Sequence, residues 1–279
     1  MNTTYDYIVY GGNPAGVTFA LQKRKQGEKV LLINHYGFLG GSISEGFNCL
    51  QKIIIKEGNR INGEVISVIS DGKNGYLYFN DTHAVVNPEA VKMLLPELLI
   101  SSGVELLCHV NPFSYRVLDN SLIEIELFAK EGKIKVSASH LLDASENMHF
   151  RMINGTQPWE VTKKVNLFIT KVSNTDFLRY EEIQNHICLN DGRYWISLDC
   201  RTGLDDAVSR FAPVVHASGA RIQLLPVDIY KEYEINSDHG NKRHVVTIEE
   251  LLGKHFLPDE QLIKAAEIEK YLSGKNQDE

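Results

Sequence analysis

The chain has 279 residues, 43% of them hydrophobic, and a formal net charge of −7. This length allows one large domain or two modest ones with a hydrophobic core. The acidic balance, with no basic block, argues against a nucleic-acid partner, and no apolar run approaches the roughly 18 residues of a membrane span. The four cysteines lack CxxC spacing, which argues against a metal site or a disulfide framework. With no secretory signal before the first apolar run, we expect a cytoplasmic protein.

The stretch from Tyr5 to Gly41 predicts a strand, a glycine turn, a helix and a second strand. The first strand is the apolar run Tyr5–Tyr10, which is typical of a buried parallel strand. Pro14 suits the first turn of the helix because it has no amide hydrogen to lose, and Gly27 ends that helix. Residues Lys29–Ile33 form the second strand. This order is that of a dinucleotide-binding βαβ unit.

The turn after the first strand is predicted to hold a diphosphate, since free amides at a helix N-terminus attract negative charge. Such a turn requires glycine at three places, and Asn13 stands at the middle one. About 20 residues further on, Asn34 occupies the position that usually carries a ribose-binding acid. The residues of the turn that we expect to bind the cofactor are Gly11, Gly12, Asn13, Pro14, Ala15 and Gly16.

The words GGNPAG and HYGFLGG in this stretch resemble the GGGPAG turn and the KYGFLGG segment of a family of FAD-dependent oxidoreductases. The resemblance implies that FAD is bound through its ADP half, with Gly40 and Gly41 toward the flavin. His35 follows the second strand at the ribose position, where it either hydrogen-bonds the cofactor or lies at the solvent edge. The unreactive interpretation of Cys49, a packed thiol, is favoured because nothing marks it as a low-pKa thiol.

The segment from Asn87 to Val110 predicts a helix followed by a third parallel strand. Asn87 and Pro88 make a good helix start, and Gly103 ends the helix. Pro96 lies inside the helical pattern and is expected to kink or split it. This segment also resembles the same family, and the resemblance implies that the backbone at Val110 lies near the adenine.

Two alternating segments, 122–127 and 133–142, predict a β-hairpin, which in this family belongs to a meander that covers the parallel sheet. The second strand runs into the word DASE, where related flavoproteins have a cofactor-facing segment. The resemblance therefore implies that Asp143 and Ala144 lie at the cofactor. Glu146 stands where the family has glycine, and its carboxylate would repel a diphosphate unless it points away.

The remainder of the chain predicts a second, smaller unit of mixed α/β structure, with a crossing at residues 155–158. The expected elements are strands at 165–169, 194–198 and 221–225, helices at 204–216 and 262–272, and a capping box from Thr247 to Glu250. Thr202 or Gly203 would cap the helix at 204–216. Arg201 and Arg221 are candidates to grip an acidic substrate, with a surface role as the alternative.

The fold class expected is α/β, with a Rossmann-like FAD/NAD(P)-binding parallel sheet and a β-meander in residues 1–151. A substrate-type or interaction domain follows in residues 152–279. The family usually continues with a segment that closes the FAD domain, and no word in the last forty residues matches it. Either a partner chain supplies that segment or the chain is a shortened relative.

The function expected is that of an FAD-dependent oxidoreductase, or its FAD-binding subunit, which transfers hydride between a small organic substrate and flavin. No catalytic residue is assigned, and no metal site is expected. The alternative is a non-catalytic relative that acts as a partner or scaffold, as Asn13, Asn34 and Glu146 suggest. Binding of another nucleotide such as NAD is a third option, because the same βαβ unit serves it.

Overall fold

The computed structural model describes residues 4–56, 59–72, 74–118, 122–147, 149–153, 155, 159–200, 203–234 and 245–274. Residues 156–158 of the expected crossing, together with Arg201 and Thr202, lie outside these described residues.

The described residues form strands of widely different length. In chain order they are β1 (Thr4–Tyr10), β2 (Val30–Ile33), β3 (Leu50–Lys52), β4 (Ile54–Lys56), β5 (Asn59–Arg60), β6 (Tyr76–Phe79), β7 (His83–Val86), β8 (Glu105–Leu107), β9 (Asn111–Val117), β10 (Ile123–Ala129), β11 (Gly132–Asp143), β12 (Trp159–Thr170), β13 (Ile183–Cys188), β14 (Tyr194–Asp199), β15 (Arg221–Leu224), β16 (Tyr230–Glu234) and β17 (Val245–Thr247).

The helices connect these strands and cover their faces. They are α1 (Pro14–Lys25), α2 (Ser42–Glu45), α3 (Glu64–Asp71), α4 (Pro88–Ser101), α5 (His149–Ile153), α6 (Leu204–Ala217), α7 (Ile248–Leu252) and α8 (Gln261–Leu272). Two short 3₁₀ turns lie at Asp176–Arg179 and Pro258–Glu260.

The first sheet is the one that carries the predicted nucleotide site. Its strand order is β8-β2-β1-β11-β10-β9, and β17 also pairs with β11. Strands β8, β2, β1, β11 and β17 are parallel, whereas β9, β10 and β11 form an antiparallel meander. The expected Rossmann-like sheet with a β-meander is therefore confirmed. Ligands of such sheets bind beyond the carboxyl ends of the parallel strands.

The second sheet is antiparallel, with the strand order β13-β14-β12-β15 and with β16 paired to β12. Helix α6 packs on it, with Phe211 and Val215 buried in the same hydrophobic cluster as Leu167 and Ile196. Strands β3, β7 and β6 form a smaller third sheet, and β4 pairs with β5. The region 52–81 thus contains antiparallel strands as well as α3.

The second sheet is attached to the first unit through residues 45–47. Trp195 Nε1 donates to the carbonyl of Phe47 at 2.9 Å, and Asn166 Nδ2 donates to the carbonyl of Gly46 at 2.7 Å. The Phe47 and Phe168 rings meet edge to face at 5.5 Å. The amides of Val227 and Asp228 both donate to the carbonyl of Glu45. These contacts hold the second sheet against the first unit.

The last described residues return to the first sheet. Strand β17 pairs with the carboxyl-terminal part of β11, through Leu141, Leu142 and Asp143, and the capping box between Thr247 and Glu250 then starts α7. Helix α8 packs against α1 with Leu262 and Ile268 fully buried. The two-domain division remains a prediction, but residues 245–272, assigned there to the second unit, lie against the first.

Pro96 does not split α4, which is continuous from Pro88 to Ser101. A proline removes one helical hydrogen bond, and the buried face of the helix compensates for this loss. Val91, Leu95 and Leu99 are all fully buried in the main hydrophobic cluster. Tertiary packing therefore outweighs the local effect of the proline. The N-terminus begins as expected, with the side chain of Asn87 accepting from the Glu89 amide at 3.1 Å.

Candidate functional site

A cavity of about 350 Å³ lies at the carboxyl ends of the parallel strands. Its size falls within the range of small-molecule and cofactor sites. The first unit contributes most of the lining, and a short segment before the second sheet's last strand contributes the rest. The lining residues are Tyr10–Asn13, Asn34–Tyr36, Gly41–Ser42, Glu45–Gly46, Asn111, Ser145–Asn147, His149 and Asp228–Lys231.

The glycine turn has the close backbone approach that a diphosphate cradle needs. Gly11 has a φ of +110°, and a Cβ added there would lie 2.7 Å from the Ser145 nitrogen. A Cβ added at Gly16 would lie 2.2 Å from the Gly11 carbonyl oxygen. One added at Gly12 would lie 2.4 Å from Leu39 Cδ2. These three positions therefore require glycine for steric reasons.

Asn13 is the N-cap of α1, and its backbone is extended, with a φ of −73°. Its Oδ1 accepts from the Gly16 amide at 2.8 Å, and its Nδ2 donates to the Ala144 carbonyl at 2.7 Å. The side chain is thus held by the protein and is only 2% exposed. Because Pro14 has no amide hydrogen, the amides of Asn13 and Ala15 are the donors at this turn that could face a phosphate.

Asn34 uses its buried side chain to hold two backbone segments. Its Oδ1 accepts from the Gly12 amide at 2.8 Å, while its Nδ2 donates to the carbonyls of Phe38 at 2.7 Å and Tyr36 at 3.2 Å. Asn34 therefore ties the glycine turn to the loop after β2. These bonds already use both of its amide hydrogens. A ribose-binding role for Asn34 stays a prediction.

His35 and Val110 are held near each other through the contacts of their neighbours Asn111 and Asn34. His35 is exposed, and its Nδ1 hydrogen-bonds Asn111 Oδ1. Val110 is 2% exposed, and its amide donates to the Asn34 carbonyl at 3.4 Å. The structure thus brings the predicted ribose and adenine positions together, and their contacts with a nucleotide remain predictions.

Gly40 and Gly41 form a tight turn before α2. Both have positive φ, and a Cβ on Gly40 would lie 2.0 Å from Ser44 Oγ. The Gly40 amide donates to the Gly12 carbonyl at 2.7 Å, which joins this turn to the first one. Gly41 lines the cavity, which places the second glycine pair beside the predicted diphosphate site.

Asp143 and Ala144 lie directly beneath the glycine turn and support it through hydrogen bonds. The Asp143 carboxylate accepts from the Ser145 and Phe150 amides at 3.0 and 2.9 Å, and burial raises its pKa. The Ala144 amide donates to the Tyr10 carbonyl at 2.8 Å. Neither residue is among those that line the cavity. Asp143 also accepts from the Ser145 hydroxyl. The observed contacts of both residues are thus with the protein itself, and cofactor contact stays a prediction.

The sequence interpretation missed a group of acids that line the cavity. Glu45 lies at the end of α2, and Asp228 comes from the segment before β16. Burial, together with the charges of Glu146 and Asp228, raises the pKa of Glu45 to about 8. Burial and the same Asp228 charge raise the pKa of Tyr36 to about 12. Glu45 could have been found from the sequence because it follows Gly40 and Gly41 closely, whereas no local pattern marks Asp228.

The raised pKa of Glu45 makes stability depend on pH. The unfolded side chain titrates near its ordinary value of 4.5 and the folded one near 8, so stability present at low pH is lost as the pH rises between these values. From about pH 5 to about pH 9 we expect the free energy of unfolding of the wild type to fall by on the order of 2 kcal/mol more than that of Glu45→Gln. The difference is smaller than the full pKa shift implies, because Glu146 interacts with Glu45 and the two titrate together. Urea unfolding at both pH values measures this difference.

Glu131→Gln is the matched control for that measurement. Glu131 is exposed in the turn between β10 and β11, and its substitution removes the same charge far from the cavity. The control is expected to follow the pH dependence of the wild type. If Glu45→Gln also followed it, the Glu45 carboxyl would not be the titrating group.

Other candidates from the sequence do not enter the cavity. Cys49 is fully buried, and burial raises the pKa of its thiol well above the usual range, which agrees with a packed, unreactive cysteine. Arg221 is exposed on β15 and is not among the lining residues. Within the described part of the chain, no cluster of His, Cys, Asp and Glu could hold a metal ion, and no helix there is long and apolar enough to cross a membrane.

The fold and the glycine cradle define a protein of the dinucleotide-binding flavoprotein class. Residues 6–218 match the family model described as FAD dependent oxidoreductase. Because this match covers well over half of the chain, the protein belongs to the FAD dependent oxidoreductase family. This family membership identifies FAD as the cofactor of the chain.

Similar proteins include the thiamine thiazole synthase of Pyrobaculum islandicum, which is 28% identical over 113 residues. That alignment covers 40% of this chain and 41% of the synthase, so the chain spans less than half of this relative. Among solved structures, a flavoprotein/dehydrogenase from Cytophaga hutchinsonii is 15% identical with a TM-score of 0.56, over 96% of this chain and 79% of that one. The p-nitrophenol 4-monooxygenase of Pseudomonas putida is 13% identical with a TM-score of 0.58, over 88% and 72%. Likeness at this level shows the fold.

The residues at the glycine turn fit the diphosphate of FAD. The backbone cradle around Gly11 and Gly16 leaves no room for a Cβ, and the helix that follows points its N-terminus at the cavity. The carboxyl groups of Glu45, Glu146 and Asp228 also line the cavity. When they are charged, they repel an anionic group such as the diphosphate.

Proposed function

We propose that this protein is an FAD-dependent oxidoreductase that transfers hydride between a small organic substrate and flavin. The observation that carries the proposal is the cradle at Gly11, Gly12 and Gly16, where each added Cβ would clash within 2.7 Å. Backbone of this kind is required where a diphosphate approaches a helix N-terminus. The family membership of residues 6–218 supports the same conclusion.

The chain's own residues would hold the cofactor in extended form along the sheet edge. The amides of Asn13 and Ala15 would donate to the diphosphate, and His35 would lie at the ribose. The wall at Glu45 and Asp228 would then face the far end of the cofactor and exclude water from that side. When bound, FAD supplies a ring that accepts or returns a hydride.

The substrate side of the cavity lies against the second sheet. The segment Asp228–Lys231 is the part of the lining that does not come from the first unit. Asp228 of this segment and Glu45 of the first unit place two carboxyl groups here against one cation, Lys231, which favours a neutral or cationic substrate over an anionic one. An acidic substrate gripped by Arg221 is less well supported, because that side chain is exposed outside the cavity.

The proposal is tested by purifying the full chain and recording its visible spectrum. We expect a flavin band, and denaturation should release FAD into the supernatant in a ratio near one per chain. A partly empty preparation should take up added FAD in titration calorimetry. Colourless protein that takes up no FAD would overturn the proposal, and co-purification of another polypeptide with such protein would favour a scaffold role instead.

A further inference from the structure

The carboxyl group of Glu146 reaches back to the glycine turns. Its Oε1 accepts from the Ser42 amide at 2.9 Å. A Cβ added at Gly41 would lie 2.4 Å from this oxygen and 2.5 Å from Asn13 Cβ. The carboxyl therefore lies at the gap between Gly41 and Asn13. Both of these residues line the same cavity as Gly11 and Gly12, so Glu146 is part of the diphosphate site.

The surroundings of Glu146 are mostly acidic. Glu45 faces it from α2, with Asp228 beyond, and Glu249 faces it from α7. Lys264 on α8 is the cation that acts on Glu146, but it already forms an ion pair with Glu249 and is only 4% exposed.

Two phenol groups complete this environment on the side of Glu45. The charge of Glu45 contributes to a raised pKa of both Tyr10 and Tyr36, and neither phenol carries a positive charge in any protonation state. Lys231, His35 and His149 line the same cavity. The acids Glu45, Asp228 and Glu249 still outnumber the two lysines Lys231 and Lys264, so a negative charge on Glu146 is only partly compensated.

We propose that Glu146 sets the affinity of this cavity for an anionic dinucleotide, and that FAD binding takes up a proton at the Glu146 carboxyl. The inference rests on the proposed function. A diphosphate beside a carboxylate disfavours the charged form of that carboxylate, and screening by salt is weak in a buried site. The protonated form is thus favoured in the complex, so affinity must fall as the pH rises.

Burial already acts in the same direction in the free protein. Loss of water around the side chain raises the pKa of Glu146, against smaller opposing effects from Ser42 and Lys264. The neutral carboxyl can keep accepting from the Ser42 amide and can donate its O–H to a neighbouring phosphate oxygen. Glu146 is accordingly compatible with FAD when it is protonated and competes with FAD when it is charged.

The test measures the Kd of FAD for the full chain by quenching of flavin fluorescence, from about pH 6 to about pH 9. For the wild type, Kd is expected to rise by about tenfold over this range. Calorimetry in two buffers of different ionisation enthalpy should report uptake of up to about one proton per FAD. Glu146→Gln should bind FAD about tenfold more tightly at the high-pH end, with little pH dependence. Glu131→Gln should match the wild type.

The wild-type pH series and the proton count do not depend on any variant being stable. FAD binding that is independent of pH and takes up no proton would overturn this inference and leave the proposed function standing. Weaker binding by Glu146→Gln than by the wild type at high pH would also overturn it, because Glu146 would then assist binding. Failure of every form to bind FAD at any pH would overturn both.

Discussion

Replacing Gly16 by alanine is expected to abolish stoichiometric FAD binding and to lower the free energy of unfolding by about 3 kcal/mol. The added Cβ would lie 2.2 Å from the Gly11 carbonyl oxygen and 3.0 Å from Ala144 Cβ. Gly11 cannot shift easily, because its amide is bonded to the Ile33 carbonyl at 2.9 Å in the neighbouring strand. The clash must therefore push α1 away from the turn. Flavin content and urea unfolding measure the two effects.

Gly27→Ala is the control for Gly16→Ala. Gly27 has a φ of +91°, and no atom lies within 4 Å of its added Cβ, so only left-handed backbone strain of about 1 kcal/mol is expected. This variant should keep its FAD. If Gly16→Ala bound FAD with the affinity of the wild type, the turn would not be the cradle that we describe.

Replacing Asn34 by aspartate is expected to destabilise the protein by about 3 kcal/mol near neutral pH. One carboxylate oxygen can still accept from the Gly12 amide, as Oδ1 does at 2.8 Å. The other would face the carbonyls of Phe38 and Tyr36, which now accept from Nδ2. Since Asn34 is 3% exposed, water cannot screen this repulsion. Urea unfolding at several pH values measures the effect.

The sign of the pH dependence identifies the cause. Repulsion and burial would raise the pKa of Asp at position 34 in the folded state above its unfolded value of about 3.9. The deficit should therefore be small at about pH 4 and grow as the pH rises. Asn34→Ala loses all three hydrogen bonds without adding a charge, so its deficit should not vary with pH. If Asn34 instead bound the ribose, aspartate would leave stability unchanged and tighten FAD binding.

Local pattern was sufficient to predict the first unit. The spacing of Gly11, Gly12 and Gly16 after an apolar strand gave the βαβ order and the turn, and Asn87 gave the start of α4. These features depend on backbone conformation and capping between residues close in sequence. The family resemblance of the same words extended the prediction to FAD.

The roles of the two asparagines could not be predicted from the sequence. Asn13 and Asn34 occupy positions where the fingerprint has other residues, and the pattern describes them only as departures from it. In the structure each bonds a backbone atom of a segment distant in sequence, the Ala144 carbonyl for Asn13 and the Gly12 amide for Asn34. Such bonds depend on how the segments pack, which no local spacing records.

The acidic wall and the returning C-terminal segment were also beyond local signals. Glu45 and Asp228 meet because the amides of Val227 and Asp228 both donate to the Glu45 carbonyl. Helix α8 appears polar in sequence because its buried face contains Ala265, Ala266 and the long side chain of Lys264. Small residues and a buried lysine leave little amphipathic contrast, although they pack α8 tightly against α1.

The attachment of the second sheet at residues 45–47 restricts how ligands can exchange. Buried bonds from Asn166 and Trp195 to carbonyls of this short stretch would all have to break for the two units to swing apart like a hinge. Separation would expose these groups to water, so each bond opposes it by a net of about 0.5–1.5 kcal/mol, and the contact between the buried Phe47 and Phe168 rings opposes it further. The two units are thus expected to move as one rigid body. Ligand exchange is then expected without separation of the units, through motions of loops that border the cavity on the nanosecond to microsecond scale typical of loops.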